Sequence, residues 1–105
     1  LSDLLGLDDA RFRKMFTGSP VRRAGYGRFL RNVLIAAGNS GDHRLIPLIE
    51  THLRHVEPLV RGMAVWALSE LVSADQLEAM AADYLSDETD KMVAAEWATH
   101  ELGHV

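Results

Sequence analysis

Apolar residues recur along this chain with the spacing of one face of an α-helix. Between Val60 and Leu71 they fall at every third or fourth position, and the stretches 30–37, 45–53 and 77–85 repeat the pattern. No run alternates apolar and polar residues as a half-buried strand would, and no Asn-Gly or Asp-Gly pair marks a hairpin. The pattern therefore predicts an all-α fold.

Capping and turn residues set the predicted helix boundaries. Ser73 and Gln76 have the spacing of a capping box, and Pro58 suits a first helical turn. The run Gly38-Asn39-Ser40-Gly41-Asp42 is predicted to supply a glycine stop for one helix and an Asp start for the next. Ser86-Asp87-Glu88 is predicted to open the last helix, with its acids at the positive end. The predicted helices are 8–16, 27–38, 45–54, 58–72, 75–85 and 88–102.

An internal repeat organises these helices. A shift of 31 residues aligns Trp66–Leu71 with Trp97–Leu102, and four of the six aligned positions are identical. Each unit contains a helix, a short turn and a second helix, which is typical of an α-solenoid. The repeat predicts a HEAT-like α-α superhelix of about six helices, with Trp66 and Trp97 packed between neighbouring units.

The chain is expected to be one domain with two parts. Residues 1–26 would form an N-terminal helix and a Gly/Arg-rich connecting segment, and 27–105 the helical repeats. The length of 105 residues allows one core, and the absence of an initiator Met predicts a fragment of a longer protein. No apolar run approaches a membrane span, no signal-peptide pattern is present, and a cytoplasmic location is expected.

Charge is distributed unevenly along a chain whose net charge is −4. Between Ala10 and Gly41 there is no Asp or Glu, whereas twelve acidic and four basic residues follow from Asp42 onward. This asymmetry predicts one basic patch, which is either a solvated face or a contact with a polyanion. The planar Arg fork matches phosphate, which favours the second interpretation. The basic residues of that stretch are Arg11, Arg13, Lys14, Arg22, Arg23, Arg28 and Arg31.

The segment 16–28 interrupts the helical pattern with three glycines, one proline and three arginines. Its backbone N–H groups together with Arg22, Arg23 and Arg28 could hold phosphate oxygens, and Tyr26 could stack on an unpaired base. The alternative is a connecting segment whose glycines only relieve strain. On the first interpretation the patch is an RNA contact.

Two stretches of the chain resemble a known family. Residues 12–42, which include Gly18-Ser19-Pro20-Val21-Arg22-Arg23 and the run Gly38-Asn39-Ser40-Gly41-Asp42, look like the C-terminal region of the epoxyqueuosine reductases. Val60–Leu68 is similar to the next motif of that region. The sequence departs from the family pattern at Tyr26 and Met63, where a basic and a polar residue are expected.

The resemblance implies a role in queuosine synthesis. Family members are oxidoreductases that reduce epoxyqueuosine at the wobble position of tRNA, using cobalamin and two 4Fe–4S clusters held by upstream domains. Their HEAT-like C-terminal part helps to hold the tRNA. The resemblance thus implies that this chain docks the tRNA anticodon region, works beside upstream catalytic domains, and itself carries no catalytic residue and no cofactor.

Two histidine patterns suggest metal binding but have simpler explanations. His100–His104 satisfies the H-E-x-x-H signature of zinc proteases. Gly103 is predicted to stop the helix before His104, however, and the repeat already accounts for Glu101 and Leu102. His52 and His55 could form a weak surface metal site, but solvated helix residues are the favoured interpretation.

The predicted function is tRNA docking by a helical-repeat module. Arg22, Arg23, Arg28 and Arg31 are the predicted phosphate ligands, with Arg11, Arg13 and Lys14 steering at longer range. Arg61 is equivalent to Arg31 in the repeat and is a weaker candidate, because it could instead form an ion pair with Glu57. The alternative function is a protein–protein or inter-domain HEAT module without RNA contact. The zero cysteine count excludes disulfides and cysteine-ligated clusters within these residues.

Overall fold

The fold was obtained as a computed structural model, which describes residues 2–15 and 25–102. Within those residues all regular structure is helical and no strand occurs. Single turns of 3-10 helix at His43–Leu45, His52–Arg54 and Leu85–Asp87 extend the α-helices. The α-helices are α1 (Ser2–Leu5), α2 (Asp9–Met15), α3 (Tyr26–Asn39), α4 (Ile46–Thr51), α5 (Pro58–Leu71), α6 (Ala74–Tyr84) and α7 (Lys91–Leu102).

Several predicted boundaries are confirmed because they depend on neighbouring residues only. Ser73 and Gln76 form the reciprocal capping box that starts α6. Pro58 occupies the first turn of α5, and Asp42 accepts a hydrogen bond from the backbone N–H of Arg44 at the start of the 3-10 turn. The predicted all-α class is thus confirmed for the described residues, with α1 as a helix that the sequence pattern did not predict.

The predicted start of the last helix is wrong. Helix α7 begins at Lys91, and the carboxylate of Asp90 caps it by accepting from the backbone N–H groups of Met92 and Val93 at 2.8 and 3.1 Å. Glu88, which was expected in the first turn, instead binds a distant arginine. A capping carboxylate must lie at the N-cap position to reach these donors, which explains why Asp90 has this role.

The predicted end of α3 at residue 38 is confirmed to within one residue. Gly38 is buried inside α3, which continues to Asn39. A Cβ on Gly38 would lie 2.6 Å from Cζ3 of Trp66 and 3.0 Å from Cα of Ala67, so the missing side chain allows α5 to approach. The left-handed backbone of this connection is at Gly41, whose φ is 68°.

Helix α5 is the centre of the fold. It packs against α3 on one side and α7 on the other, while α4 and α6 also contact it. Its buried face, which includes Val60, Ala64 and Leu68, is fully excluded from solvent. Small residues at Ala64 and Ala67 keep the helix axes close, and burial of these apolar groups is the main favourable term in the packing.

The two tryptophans of the repeat have different environments. Trp97 is 1% exposed and its ring lies parallel to that of Tyr84, with centroids 6.5 Å apart. Trp66 is only partly buried and packs against the core from its edge. The predicted core role therefore describes Trp97 fully and Trp66 in part.

We expect Gly38→Ala to destabilise the protein by about 1–3 kcal/mol, because the added methyl group overpacks the α3–α5 contact. Gly62→Ala is the matched control: it lies in α5, and a Cβ there meets nothing closer than Cγ2 of Val93 at 4.0 Å. This control should be neutral or stabilise by up to about 1 kcal/mol. Urea unfolding of both variants measures the difference, and equal stabilities would contradict the packing argument.

Candidate nucleic-acid interface

A cluster of three aromatic rings joins α2 to the beginning of α3. Phe12 is 1% exposed, and its ring centroid lies 5.5 Å from that of Tyr26 and 5.0 Å from that of Phe29. The hydroxyl group of Tyr26 donates a hydrogen bond to the backbone carbonyl of Leu7. These contacts fix the orientation of α2 on α3, as tilted aromatic pairs and a buried phenol commonly do.

Both helices that the aromatic cluster joins carry exposed basic residues. Exposed basic side chains flank Phe12 on α2 and Phe29 on α3. We call this set the basic face; its members are Arg11, Arg13, Lys14, Arg28 and Arg31. The predicted phosphate ligands Arg22 and Arg23 lie outside the described residues.

Two acidic residues border the basic face. Asp8 caps α2, because its side chain accepts from the backbone N–H of Arg11 at 2.8 Å and its carbonyl accepts from that of Phe12. The carboxylate of Glu57 lies against Gly27 in the first turn of α3, where a Cβ would be 2.0 Å from its Oε2. Both carboxylates lie near helix N-termini, where the partial positive charge stabilises them.

Tyr26 is half-buried and its side chain is engaged within the protein. Besides the bond to Leu7, its ring lies 5.9 Å from the imidazole of His55. The hydroxyl group and the ring of Tyr26 thus both make contacts within the protein. Stacking of Tyr26 on an unpaired base stays a prediction.

Arg61 is bound by acceptors within the protein. Its Nε and Nη2 donate to the two carboxylate oxygens of Glu88 at 2.8 and 2.9 Å, and its Nη1 donates to the carbonyls of His55 and Val56. Arg61 thus forms an ion pair, as the alternative predicted, but its partner is Glu88 and not the expected Glu57. A role of Arg61 in RNA binding stays a prediction.

The pair between Arg61 and Glu88 is largely shielded from solvent, with side-chain exposures of 14% and 5%. Burial alone would raise the pKa of Glu88. Hydrogen bonds from Arg61 and from the backbone N–H of Asp90 outweigh that effect, and the pKa is lowered. The ion pair therefore ties the start of α5 to the connection that precedes α7.

The favoured interpretation of His52 as a solvated residue is wrong. His52 is 8% exposed, and its Nε2 donates to the backbone carbonyl of Leu5 at 2.7 Å. The contact spans 47 residues and holds α1 against the turn after α4. Burial and the neighbouring His52 lower the pKa of His55, whose Nδ1 accepts from the backbone N–H of Glu57.

The H-E-x-x-H pattern is only partly within the described residues. His100 lies on α7 with its Nε2 2.7 Å from Oε1 of Glu96, an i, i+4 contact along the helix. His104 lies outside the described part of the chain. Among the residues that are described, no group of three His, Asp or Glu side chains could hold a metal ion.

An open apolar groove, which the sequence analysis did not predict, crosses α3, α5 and α7. Its volume is about 630 Å³. Three of its lining residues are polar: Asn39, Asp90 and Glu96. The sequence did not indicate that Leu59 (49%) and Met92 (80%) are exposed, because apolar periodicity does not distinguish a covered helix face from an open one. The main apolar lining residues are Ile35, Leu59, Met63, Trp66, Met92 and Val93.

No helix in the described part of the chain has both the length and the apolar character needed to span a bilayer.

Comparison with known proteins identifies similar sequences among bacterial enzymes. The epoxyqueuosine reductase of Xanthomonas campestris is 35% identical over 71 residues, which cover 67% of this chain and 20% of the relative. That of Alicycliphilus denitrificans is 35% identical over 78 residues, covering 67% and 22%. That of Escherichia coli is 30% identical over 73 residues, covering 69% and 19%.

This chain is similar to epoxyqueuosine reductases over about two thirds of its length. It spans about a fifth of the length of these curated relatives. No family model matches the chain, and no solved structure matches it. The resemblance predicted from the motifs of residues 12–42 and Val60–Leu68 is thus confirmed as sequence similarity to a part of these enzymes.

We expect Glu88→Gln to destabilise the protein by about 1–3 kcal/mol at pH 7, because it leaves the shielded Arg61 without its charged partner. The folded-state pKa of Glu88 lies below its ordinary value of 4.5. The stabilisation is therefore complete above that value and is lost as the pH falls through the folded-state pKa.

Urea unfolding at pH 7 and at about pH 3 tests this expectation. The difference between the parent protein and Glu88→Gln should shrink at the lower pH. Glu78→Gln, the same change at an exposed position of α6, should have little effect at either pH. A difference that stays constant with pH would contradict the ion-pair argument.

Proposed function

We propose that this chain is the tRNA-docking module of an epoxyqueuosine reductase-like protein in queuosine biosynthesis. The observation that carries the proposal is the basic face, which lies in a stretch without any Asp or Glu between Ala10 and Gly41. Neutralisation of phosphates dominates the affinity of proteins for nucleic acids. The similarity to epoxyqueuosine reductases gives the class of nucleic acid, since the substrate of that family is tRNA.

We further propose that the helices form HEAT-like units. Helices α4–α5 and α6–α7 would each be one unit, and α3 would be the second helix of the unit before them. Helix α5 contacts both α3 and α7, as the second helices of neighbouring units would. The alignment of Trp66 with Trp97 supports the same division. In such an array the second helices form one continuous surface on which a ligand can lie.

The basic face would bind phosphates of the anticodon region. Arg28 and Arg31 are exposed on α3, and Arg guanidinium groups bind phosphate oxygens with two parallel N–H donors. Arg11, Arg13 and Lys14 on α2 would increase the rate of encounter at long range. Arg22 and Arg23 belong to the same proposal as residues of the connecting segment.

The redox chemistry of such a protein would lie outside these 105 residues. A 4Fe–4S cluster is held by cysteine thiolates, and the sequence contains no cysteine. The residues present therefore do not fit the clusters, and no step of the reaction is derived for them. The proposed contribution of this chain is to hold and orient the RNA for upstream catalytic domains of the same protein, in the cytoplasm.

A second candidate function is an interaction module for a protein or a neighbouring domain. The apolar groove over α3, α5 and α7 favours it, because exposed apolar grooves often receive partner side chains. On this alternative the basic face would pack against an acidic partner, and binding to RNA would be absent at any salt concentration.

Binding of a fluorescently labelled tRNA anticodon stem–loop tests the proposed function. We expect salt-sensitive binding that weakens about tenfold in the variant Arg28→Gln/Arg31→Gln. The slope of the logarithm of affinity against the logarithm of salt should fall by about two, one for each phosphate contact. Fluorescence anisotropy between about 50 and 200 mM salt measures both quantities.

The matched control is Arg44→Gln/Lys91→Gln, which removes the same charge from exposed positions outside the basic face. This control should bind like the parent protein. Equal weakening by both double variants would show a non-specific charge effect, and absence of binding by the folded parent protein would overturn the proposal in favour of the protein-interaction module.

A further inference from the structure

The apolar groove continues the surface that carries the arginines of α3. Arg28, Asn32, Ile35 and Asn39 follow one another at intervals of three or four residues, so they share one face of the helix. Ile35 and Asn39 line the groove. At a rise of 1.5 Å per residue, Arg31 lies only about 6 Å before Ile35 along the axis of α3. A phosphate on Arg31 would therefore have its own base within reach of the groove.

Trp66 gives the groove a platform for stacking. One edge of its indole ring packs against Gly38, with Cζ3 2.6 Å from the position of a Cβ, and the partly buried ring contributes to the wall of the groove. Aromatic side chains of this kind stack on unpaired bases with little dependence on sequence. Met63 and Met92 add polarizable, adaptable contacts on the remaining walls.

The charges around the groove favour one orientation of a bound ligand. Arg28 and Arg31 are on α3, whereas Asp90 and Glu96 lie at the other wall, before and on α7. These carboxylates repel phosphate but accept hydrogen bonds from amino and imino groups of a base edge. A nucleotide would therefore place its phosphate toward α3 and the edge of its base toward α7.

We propose that the groove receives one unpaired nucleobase of the RNA that the basic face binds. The inference rests on the proposed function and extends it from phosphate contact to base contact. A base with N–H donors along its edge, such as guanine, matches the carboxylate oxygen of Glu96 that does not bind His100. The volume of about 630 Å³ exceeds that of a single base and leaves room for its ribose.

The polar lining residues of the groove favour a base over an apolar partner helix. A helix with an apolar face would offer no hydrogen-bond partner to Asn39 or to the carboxylate oxygen of Glu96 that does not bind His100, and burying these groups costs free energy. A nucleobase has an apolar face for Trp66 and a polar edge for these residues. The same surface thus offers stacking and hydrogen bonding to one ligand.

Two RNAs test the inference with the complete 105-residue protein. One is a labelled stem–loop with unpaired guanines in its loop, and the other has abasic sites in place of those guanines. We expect the abasic RNA to bind about tenfold more weakly, since stacking on one aromatic side chain has an effect of this size. The intact RNA should also quench the fluorescence of Trp66, and Trp66→Leu should lose this signal.

The variants separate base contact from phosphate contact. Trp66→Leu should weaken binding of the intact RNA but not of the abasic RNA. Met92→Ser should independently have the same effect, at a position that is 80% exposed and does not endanger folding. Val56→Ser is the matched control, an apolar residue that is 86% exposed outside the groove, and should leave both RNAs unchanged.

The outcomes distinguish the two proposals. Equal binding of both RNAs, with weakening by Arg28→Gln/Arg31→Gln, would overturn the base contact and leave the phosphate contact standing. The groove would then be better explained by a protein partner. Failure of the folded protein to bind either RNA at low salt would overturn the proposed function and this inference together.

Discussion

The close approach of α5 to α3 is the constraint on which the other features depend. It exists because Gly38 has no side chain and the edge of Trp66 occupies the space. With α3 on one side of α5 and α7 on the other, a groove forms across the three helices. A larger residue at position 38 would separate the axes, and the arginines of α3 would lose their fixed relation to the ring of Trp66. One glycine thus couples the packing of the core to the shape of the surface.

The N-terminal helices are held by contacts of another kind. Helices α1 and α2 are too short to be stable in isolation, so they depend on Phe12 in the aromatic cluster and on two hydrogen bonds to backbone carbonyls. Tyr26 binds the carbonyl of Leu7, and His52 binds that of Leu5. These bonds satisfy acceptors at the end of α1, where carbonyl groups have no partner within the helix. The position of the basic residues of α2 therefore depends on these aromatic and histidine side chains.

Local signals predicted the helices well, because capping and periodicity act over a few residues. Such local signals are the capping box of Ser73 with Gln76 and the position of Pro58 in a first helical turn. Contacts between distant positions were not predictable: nothing near His52 in the sequence indicates Leu5, and nothing near Arg61 indicates Glu88. The groove was missed for a related reason. Leu59 and Met92 lie outside the apolar stretches found in the sequence, and periodicity alone does not tell whether another helix covers a given face.

Arg31 and Arg61, which are equivalent in the sequence repeat, have different environments. Both lie near the start of a second helix, but Arg31 is exposed in a stretch without acidic residues, whereas Arg61 is bound to Glu88. A guanidinium group that already donates to a shielded carboxylate would have to break that pair before it could bind phosphate, at a cost that a surface arginine does not have. An acidic residue after Asp42 thus makes Arg61 a structural contact. On the proposed function, this asymmetry would confine the phosphate contacts to the N-terminal part of the chain.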